Sequence, residues 1–207
     1  AALTSDAPVN RIRATVREGR DRMRGILASW LPADLSGRSV LDAGCGTGSF
    51  SMELARRGAR VTAVDISSTL VEVARERAET QGLEAIDFRV GDMLSESLGT
   101  FDHVVAMDSI IHYVEPDMVD MVRRLTERAR ESVVVTFAPR TPLLAAMHFA
   151  GQFFPRGDRS PAIEPIAPRR ILRRLADDPR LGDWRTARTE RVSRGFYTSQ
   201  GLELERR

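Results

Sequence analysis

The feature that most constrains this chain is a turn in which three glycines alternate between an apolar strand and a helix. The stretch Val40-Leu41-Asp42-Ala43-Gly44-Cys45-Gly46-Thr47-Gly48-Ser49-Phe50 opens as a short strand and reaches an acid, Asp42. Gly44, Gly46 and Gly48 follow at alternate positions, and a helical spacing of Phe50, Leu54 and Ala55 begins directly after them. Strand, glycine turn and helix in that order bring a ligand against bare backbone at the carboxyl end of a sheet. The D-x-G-x-G-x-G spacing is not the G-x-G-x-x-G of a dinucleotide site.

The rest of the chain supplies units that repeat strand and helix around this turn. A helix is expected from about Arg11 to Trp30, with Ile12, Val16, Met23, Ile26, Leu27 and Trp30 on one stripe; residues 1–10 read as a loose end. Five arginines, Arg11, Arg13, Arg17, Arg20 and Arg22, fall mostly off that stripe and read as a solvated face. Strands are expected at Ser39–Leu41, Arg60–Val64, Ile86–Val90, Phe101–Met107 and Ser132–Phe137. Between them lie a helix to about Arg57 with Gly58 as its cap, and one capped by Ser67 or Ser68 that stops at Gly82. A further helix opens at Pro116 with Val119, Val122, Leu125 and Ala129 inward. This alternation predicts an α/β fold with a parallel, doubly wound sheet. After Phe137 the pattern breaks: prolines crowd positions 139 to 168, around an uncharged stretch from Pro142 to Phe154. That stretch reads equally well as a core helix, an apolar pocket wall or a membrane-surface contact. A helix from Pro168 to about Ala176 and two β-like runs, Trp184–Val192 and Gly195–Ser199, complete the chain; the runs would close one sheet edge as a hairpin.

Composition narrows the chemistry. The 207 residues suit one domain, or one with an inserted cap, and 42% apolar residues suffice for a core. The net charge of +2 excludes a strongly basic nucleic-acid-binding surface. Every basic residue other than histidine is arginine, which removes lysine Schiff-base chemistry and a lysine general base. A single cysteine, Cys45, excludes an intramolecular disulfide and fits a reducing compartment, and it reads as a small buried filler. No secretory leader and no apolar run long enough to span a bilayer are expected. Neither H-E-x-x-H, paired cysteines nor G-x-S-x-G occurs, so neither a protein-bound metal nor a serine nucleophile is expected. Of the three histidines, His103 opens a strand far from the turn and His148 lies in the apolar stretch, so both read as structural. His112, in Asp108-Ser-Ile-Ile-His-Tyr113 after the fourth strand, reads either as functional or as a hydrogen-bonded loop residue.

The glycine turn resembles motif I of the class I S-adenosylmethionine-dependent methyltransferases, over about residues 37–137. That resemblance implies a Rossmann-like sheet of about seven strands with helices on both faces. It implies that Asp42 orders the loop near the cofactor's ammonium, with Gly44, Cys45, Gly46 and Gly48 forming the backbone cradle. Asp65, at the end of the second strand, would take the ribose hydroxyls, with helix capping as the alternative; Ile66 would lie on the adenine. Asp92 would accept from the adenine amino group, or simply make a Gly-Asp turn; Met93 and Met107 would pack against the cofactor.

A narrower resemblance is to the magnesium protoporphyrin IX O-methyltransferases. It rests on Val16-Arg-Glu-Gly-Arg20, Val105-Ala-Met-Asp-Ser-Ile-Ile-His-Tyr113, Gly151-Gln-Phe-Phe-Pro-Arg-Gly-Asp-Arg-Ser160 and Arg194-Gly-Phe-Tyr-Thr198. It implies transfer of a methyl from S-adenosylmethionine to a porphyrin propionate, with monomethyl ester and S-adenosylhomocysteine as products, in (bacterio)chlorophyll biosynthesis. His112 would be catalytic. Asp108, Ile111, Tyr113, Met147, Phe153, Arg156 and Arg159 would meet the substrate, with a solvated loop as the alternative for the two arginines. The implied layout is a helical segment at 1–36, a cofactor core at 37–137, a substrate-side cap at 138–183 and sheet-completing strands at 184–207. An aromatic N-terminal arm found in this family is missing from the sequence, whose tyrosines are Tyr113 and Tyr197. The resemblance also implies a cytoplasmic protein with peripheral contact at the photosynthetic membrane and a magnesium chelatase subunit as partner. The other readings are a methyltransferase for another small acid, phenol or quinone, and a non-catalytic cofactor-binding regulatory module.

Overall fold

The computed structural model describes residues 7–140 and 163–207. Seven strands form one sheet in the order β3-β2-β1-β4-β5-β7-β6. They are β1 (Ser39–Ala43), β2 (Arg60–Asp65), β3 (Ile86–Val90), β4 (Phe101–Ala106), β5 (Ala129–Phe137), β6 (Trp184–Arg194) and β7 (Tyr197–Arg206). β1 to β5 pair in parallel, and β7 enters antiparallel between β5 and β6. The helices are α1 (Ala7–Trp30), α2 (Ser49–Arg56), α3 (Ser68–Glu79), α4 (Glu115–Thr126) and α5 (Pro168–Asp177).

Each face of the sheet has its own core. On one, Met23, Leu27 and Leu31 from α1 and the segment just beyond it, with Phe50 and Leu54 of α2 and Val71 and Ala74 of α3, pack on Val40, Val61, Val105 and Val134. On the other, Met118, Val122 and Leu125 of α4 and Ile171 and Leu175 of α5 pack on Leu41, Val104, Val133, Val135 and Leu204. Val133, Val134 and Val135 are wholly buried, as expected for a β-branched run covered on both faces.

Several boundaries differ from expectation. α1 begins at Ala7, because a proline such as Pro8 is tolerated in the first turn, where its missing N–H has no intrahelical partner. Ala129 opens β5 rather than lining α4. Gly195 sits in the β6–β7 turn at φ 56°, and the strand it was expected to open runs instead from Tyr197 to Arg206. Ser67, not Ser68, caps α3, its side chain accepting from the Leu70 amide. His103 is structural as expected: it is buried in β4, with Nδ1 2.8 Å from Ser132 Oγ.

α1 is held to the β6–β7 hairpin through Arg188, whose guanidinium is set by an ion pair inside the hairpin. Glu203 is buried; the Arg188 guanidinium reaches its carboxylate at 2.5 and 2.9 Å, donates to the Trp30 carbonyl at 2.6 Å and lies over the Trp30 ring. Among the described residues, no helix is long and apolar enough to cross a membrane.

Candidate active site

The carboxyl ends of β1, β2 and β4 open into a cavity of about 930 Å³, the position at which open α/β sheets bind ligands. Its floor is the glycine turn. The Gly44 and Cys45 amides donate to the Val64 carbonyl at 2.8 and 3.0 Å, pinning the turn to β2. Asp65, half-buried at the end of β2, accepts from the Gly46 amide at 2.9 Å and, through its other oxygen, from the Ser67 amide at 2.9 Å. Each of its oxygens keeps a lone pair for a ligand.

The three glycines do different work. A Cβ on Gly44, at φ 83°, would lie 2.2 Å from Ser109 Cβ, so Gly44 lets the loop after β4 close on the turn. A Cβ on Gly46, at φ 52°, would meet no protein atom within 4 Å; it would enter open space at the cavity wall. Gly48 lies outside the cavity lining, and a Cβ there would press on Ala74 and Phe88. Of the three, Gly46 is the one whose bareness faces the cavity.

Asp42 lies at the cavity floor, almost fully buried, and accepts from Ser51 Oγ at 2.5 Å. Loss of hydration pushes its carboxyl up to about 6, against the opposing hydrogen bond from Ser51. Burial likewise pushes the Cys45 thiol up, so it stays a protonated, unreactive filler.

Ile66, 83% exposed at the rim, offers an apolar surface that a flat ligand could cover. Met93 and Met107 also line the cavity, as does Asp92, which folds its own loop by accepting from the Leu94 amide at 2.8 Å. His112, Asp108 and Tyr113 line it from the loop after β4. Ile111 does not; its carbonyl accepts from the Glu164 amide at 3.0 Å. Met147, Phe153, Arg156 and Arg159, like His148, lie outside the described residues.

Two residues that sequence reasoning missed close the cavity from α1. Arg20, read as part of a solvated face, donates from Nε to Asp108 at 3.0 Å, and both Arg20 and Arg24 line the cavity. Helical periodicity shows which residues share a face, not what that face meets. Asp108 itself has φ 55°, the one non-glycine residue with positive φ among those described.

The cradle therefore fits an elongated, zwitterionic nucleoside: bare backbone at Gly46, a carboxylate with spare lone pairs at Asp65, an apolar rim at Ile66, and both charge signs at the inner end. Residues 106–206 match the family described as magnesium-protoporphyrin IX methyltransferase C-terminus, and residues 40–132 match a methyltransferase domain. The chain is 46% identical over 200 residues to the magnesium-protoporphyrin O-methyltransferase of Rhodobacter capsulatus, covering 97% of this chain and 86% of that protein. It is 32% identical over 209 residues to the Synechocystis enzyme of the same name, covering 99% and 88%. The crystal structure of magnesium protoporphyrin IX methyltransferase from Synechocystis with bound S-adenosylhomocysteine superposes with a TM-score of 0.81 at 30% identity, over 95% of this chain and 87% of that one. By its fold, its cofactor cradle and a likeness that runs almost end to end, the chain belongs to the magnesium-protoporphyrin O-methyltransferase family.

Proposed function

We propose that this chain transfers a methyl group from S-adenosylmethionine to one propionate carboxylate of magnesium protoporphyrin IX, giving the monomethyl ester and S-adenosylhomocysteine. The likeness to the Rhodobacter capsulatus enzyme over 97% of the chain carries the reading, and the cavity supports it. When bound, the cofactor supplies a methyl on a positively charged sulfur.

The chain's own residues position the rest. Asp65 uses its spare lone pairs on the ribose hydroxyls, while Ile66 and Met93 cover the adenine and Asp92 accepts at its edge. Asp42, ionised, faces the methionyl ammonium; Arg20 and Arg24 suit the methionyl carboxylate. A propionate has a reference pKa near 4–5 and is already ionised at neutral pH, so no strong general base is needed. A carboxylate oxygen forms the new O–C bond as the S–C bond breaks, and no proton moves. His112 orients that carboxylate, and the loop holds it in line with the departing sulfur and away from water.

The segment 138–183 serves as the acceptor-side cap in this reading. For the residues up to Ile166 the contacts support that placement: the Arg140 amide donates to the Ile166 carbonyl, the Ile166 amide to the Ala138 carbonyl, and the Glu164 amide to the Ile111 carbonyl of the acceptor loop, whereas α5 packs into the core. Peripheral contact with a membrane surface also belongs to this reading; exposed Val114 shares a surface depression with Arg140 and Arg170, alongside Glu115 and Glu164. A magnesium chelatase subunit as partner rests on the resemblance alone.

Incubation with magnesium protoporphyrin and S-adenosylmethionine, followed by mass spectrometry, is expected to show one added methyl. The dimethyl ester of the same porphyrin should not react, because it presents no ionised propionate. No product from the diacid, alongside turnover of a phenol or quinone, would overturn the reading.

A further inference from the structure

We infer that Asp108 is a positioning residue that sets the acceptor loop, and that Tyr197 of the C-terminal hairpin is its main partner. This rests on the reading of the loop after β4 as the place where the propionate is held.

A substrate-contacting role for Asp108 fits its chemistry poorly. Its side chain is only 7% exposed. Its carboxylate already accepts from three protein donors: Arg20 Nε at 3.0 Å, Tyr197 OH at 3.1 and 3.2 Å to its two oxygens, and Thr136 Oγ1 at 3.2 Å. A carboxylate offers about four lone-pair sites, so little capacity remains for a ligand. A second anion, such as a propionate, would also be repelled by it.

The same contacts make Asp108 a good anchor. Its donors come from three elements, α1, β5 and β7. Its own amide donates to Thr136 Oγ1 at 2.7 Å, which fixes the backbone as well as the side chain. The chain turns at Asp108 with φ 55°, a conformation that an L-residue other than glycine holds only when its surroundings demand it. The turn brings Ser109 Oγ to the Ala43 carbonyl at 2.8 Å, directly beside Gly44. The chain from Met107 to His112 is thereby referenced to the cofactor cradle on one side and to α1 on the other.

Tyr197 is fixed in turn. It is buried, and a Cβ added to Gly19 of α1 would lie 2.5 Å from its ring, so α1 sits tightly on it. Burial and the neighbouring Asp108 carboxylate raise its phenol, which keeps the hydroxyl protonated as a donor. In-line transfer depends on placing the attacking oxygen about 3–3.5 Å from the methyl carbon, and a shift of about 1 Å costs as much as a hundred-fold in rate. A loop set by this hub needs no contact between Asp108 and substrate to control the rate.

The test uses Asp108→Asn, which keeps the shape and tolerates positive φ but loses the charge, and Tyr197→Phe, which keeps the packed ring. Wild type and variants are compared for kcat on magnesium protoporphyrin, cofactor affinity by calorimetry, and amide hydrogen exchange of residues 107–114. Asp108→Asn should lower kcat about ten- to a hundred-fold, and Tyr197→Phe by less, both with faster exchange in the loop; Tyr197→Phe, which leaves the Arg20–Asp108 pair in place, should keep cofactor affinity within about two-fold. Because both act through one group, the double variant should be no slower than Asp108→Asn alone. Should Asp108→Asn fail to fold, Thr136→Val removes one donor from β5 and is held to the same expectations. Unchanged kcat in the folded variants, losses that multiply, or a loss in Tyr197→Phe that tracks weakened cofactor binding would each overturn the inference. No ester from wild type would overturn the underlying reading and this inference with it.

Discussion

Replacing Gly44 and Gly46 separately by alanine should separate stability from binding, although the two positions lie only two residues apart. Both have positive φ, 83° and 52°, so each alanine costs about 1–2 kcal/mol in backbone strain. At Gly44 the new methyl would also lie 2.2 Å from Ser109 Cβ, a contact no real Cβ tolerates. Overpacking of that kind adds about 1–3 kcal/mol, for about 2–5 kcal/mol in all. In a domain of this size each kcal/mol lowers Tm by about 2–4 °C, so Gly44→Ala should fall by about 4–20 °C. At Gly46 the new methyl meets no protein atom within 4 Å, so the strain stands alone and Tm should fall by about 2–8 °C. Gly46 lines the cavity, so a methyl in the open space beside it would compete with a bound cofactor. Gly46→Ala should therefore lose at least about ten-fold in S-adenosylhomocysteine affinity, about 1.4 kcal/mol. Scanning calorimetry and titration calorimetry on the two variants read both quantities. Equal loss of stability in both, or wild-type affinity in Gly46→Ala, would refute the division of labour.

Other outcomes follow from the site's charges and donors. Asp42, raised to about 6, is protonated below that pH, and the folded protein loses stability as pH rises from about 4 to 6, where the unfolded carboxyl has already ionised. A cation beside Asp42 favours the ionised form, so cofactor affinity should rise with pH up to about 6 and level off above it; titration calorimetry between pH 5 and 7.5 checks this, and Asp42→Asn should flatten the profile. His112→Ala should lower kcat while leaving cofactor affinity nearly unchanged, and wild-type turnover in that variant would remove His112 from the acceptor site.

Much of this was legible in the sequence because it rests on local rules. Strand ends and glycine turns are written in contiguous residues, so β1, the turn after it and Asp65 at the end of β2 could be placed without coordinates. What was not legible depends on contacts between distant segments. The last β-like run is expected to end at Ser199, yet β7 continues through Gln200 and Gly201 to Arg206. The reason lies far away in the chain: a Cβ on Gly201 would come within 2.9 Å of the Trp30 ring and 3.0 Å of Leu27, so this glycine makes room for α1 rather than a turn. Arg20 was unreadable for the same reason, since its partner Asp108 is 88 residues distant. Ile66 was placed against the adenine only through the family resemblance, as the residue directly after Asp65.

The placing of β7 has a consequence for how the protein is made. A ribosome delivers strands in chain order, and β1 to β5 can pair as they emerge, but β7 belongs between β5 and β6. Until it arrives, the outer edge of β5 offers its amides and carbonyls from Ser132 to Phe137, in a run containing Val133, Val134 and Val135. From Phe137 to Arg206 is a further 69 residues, about 3–14 s of synthesis at ~5–20 residues per second. For that interval the nascent chain carries an apolar strand with one edge unpaired, of the sort that captures a neighbouring copy. Crowded polysomes and slow codons downstream of Phe137 would lengthen the exposure, and the hairpin's arrival ends it.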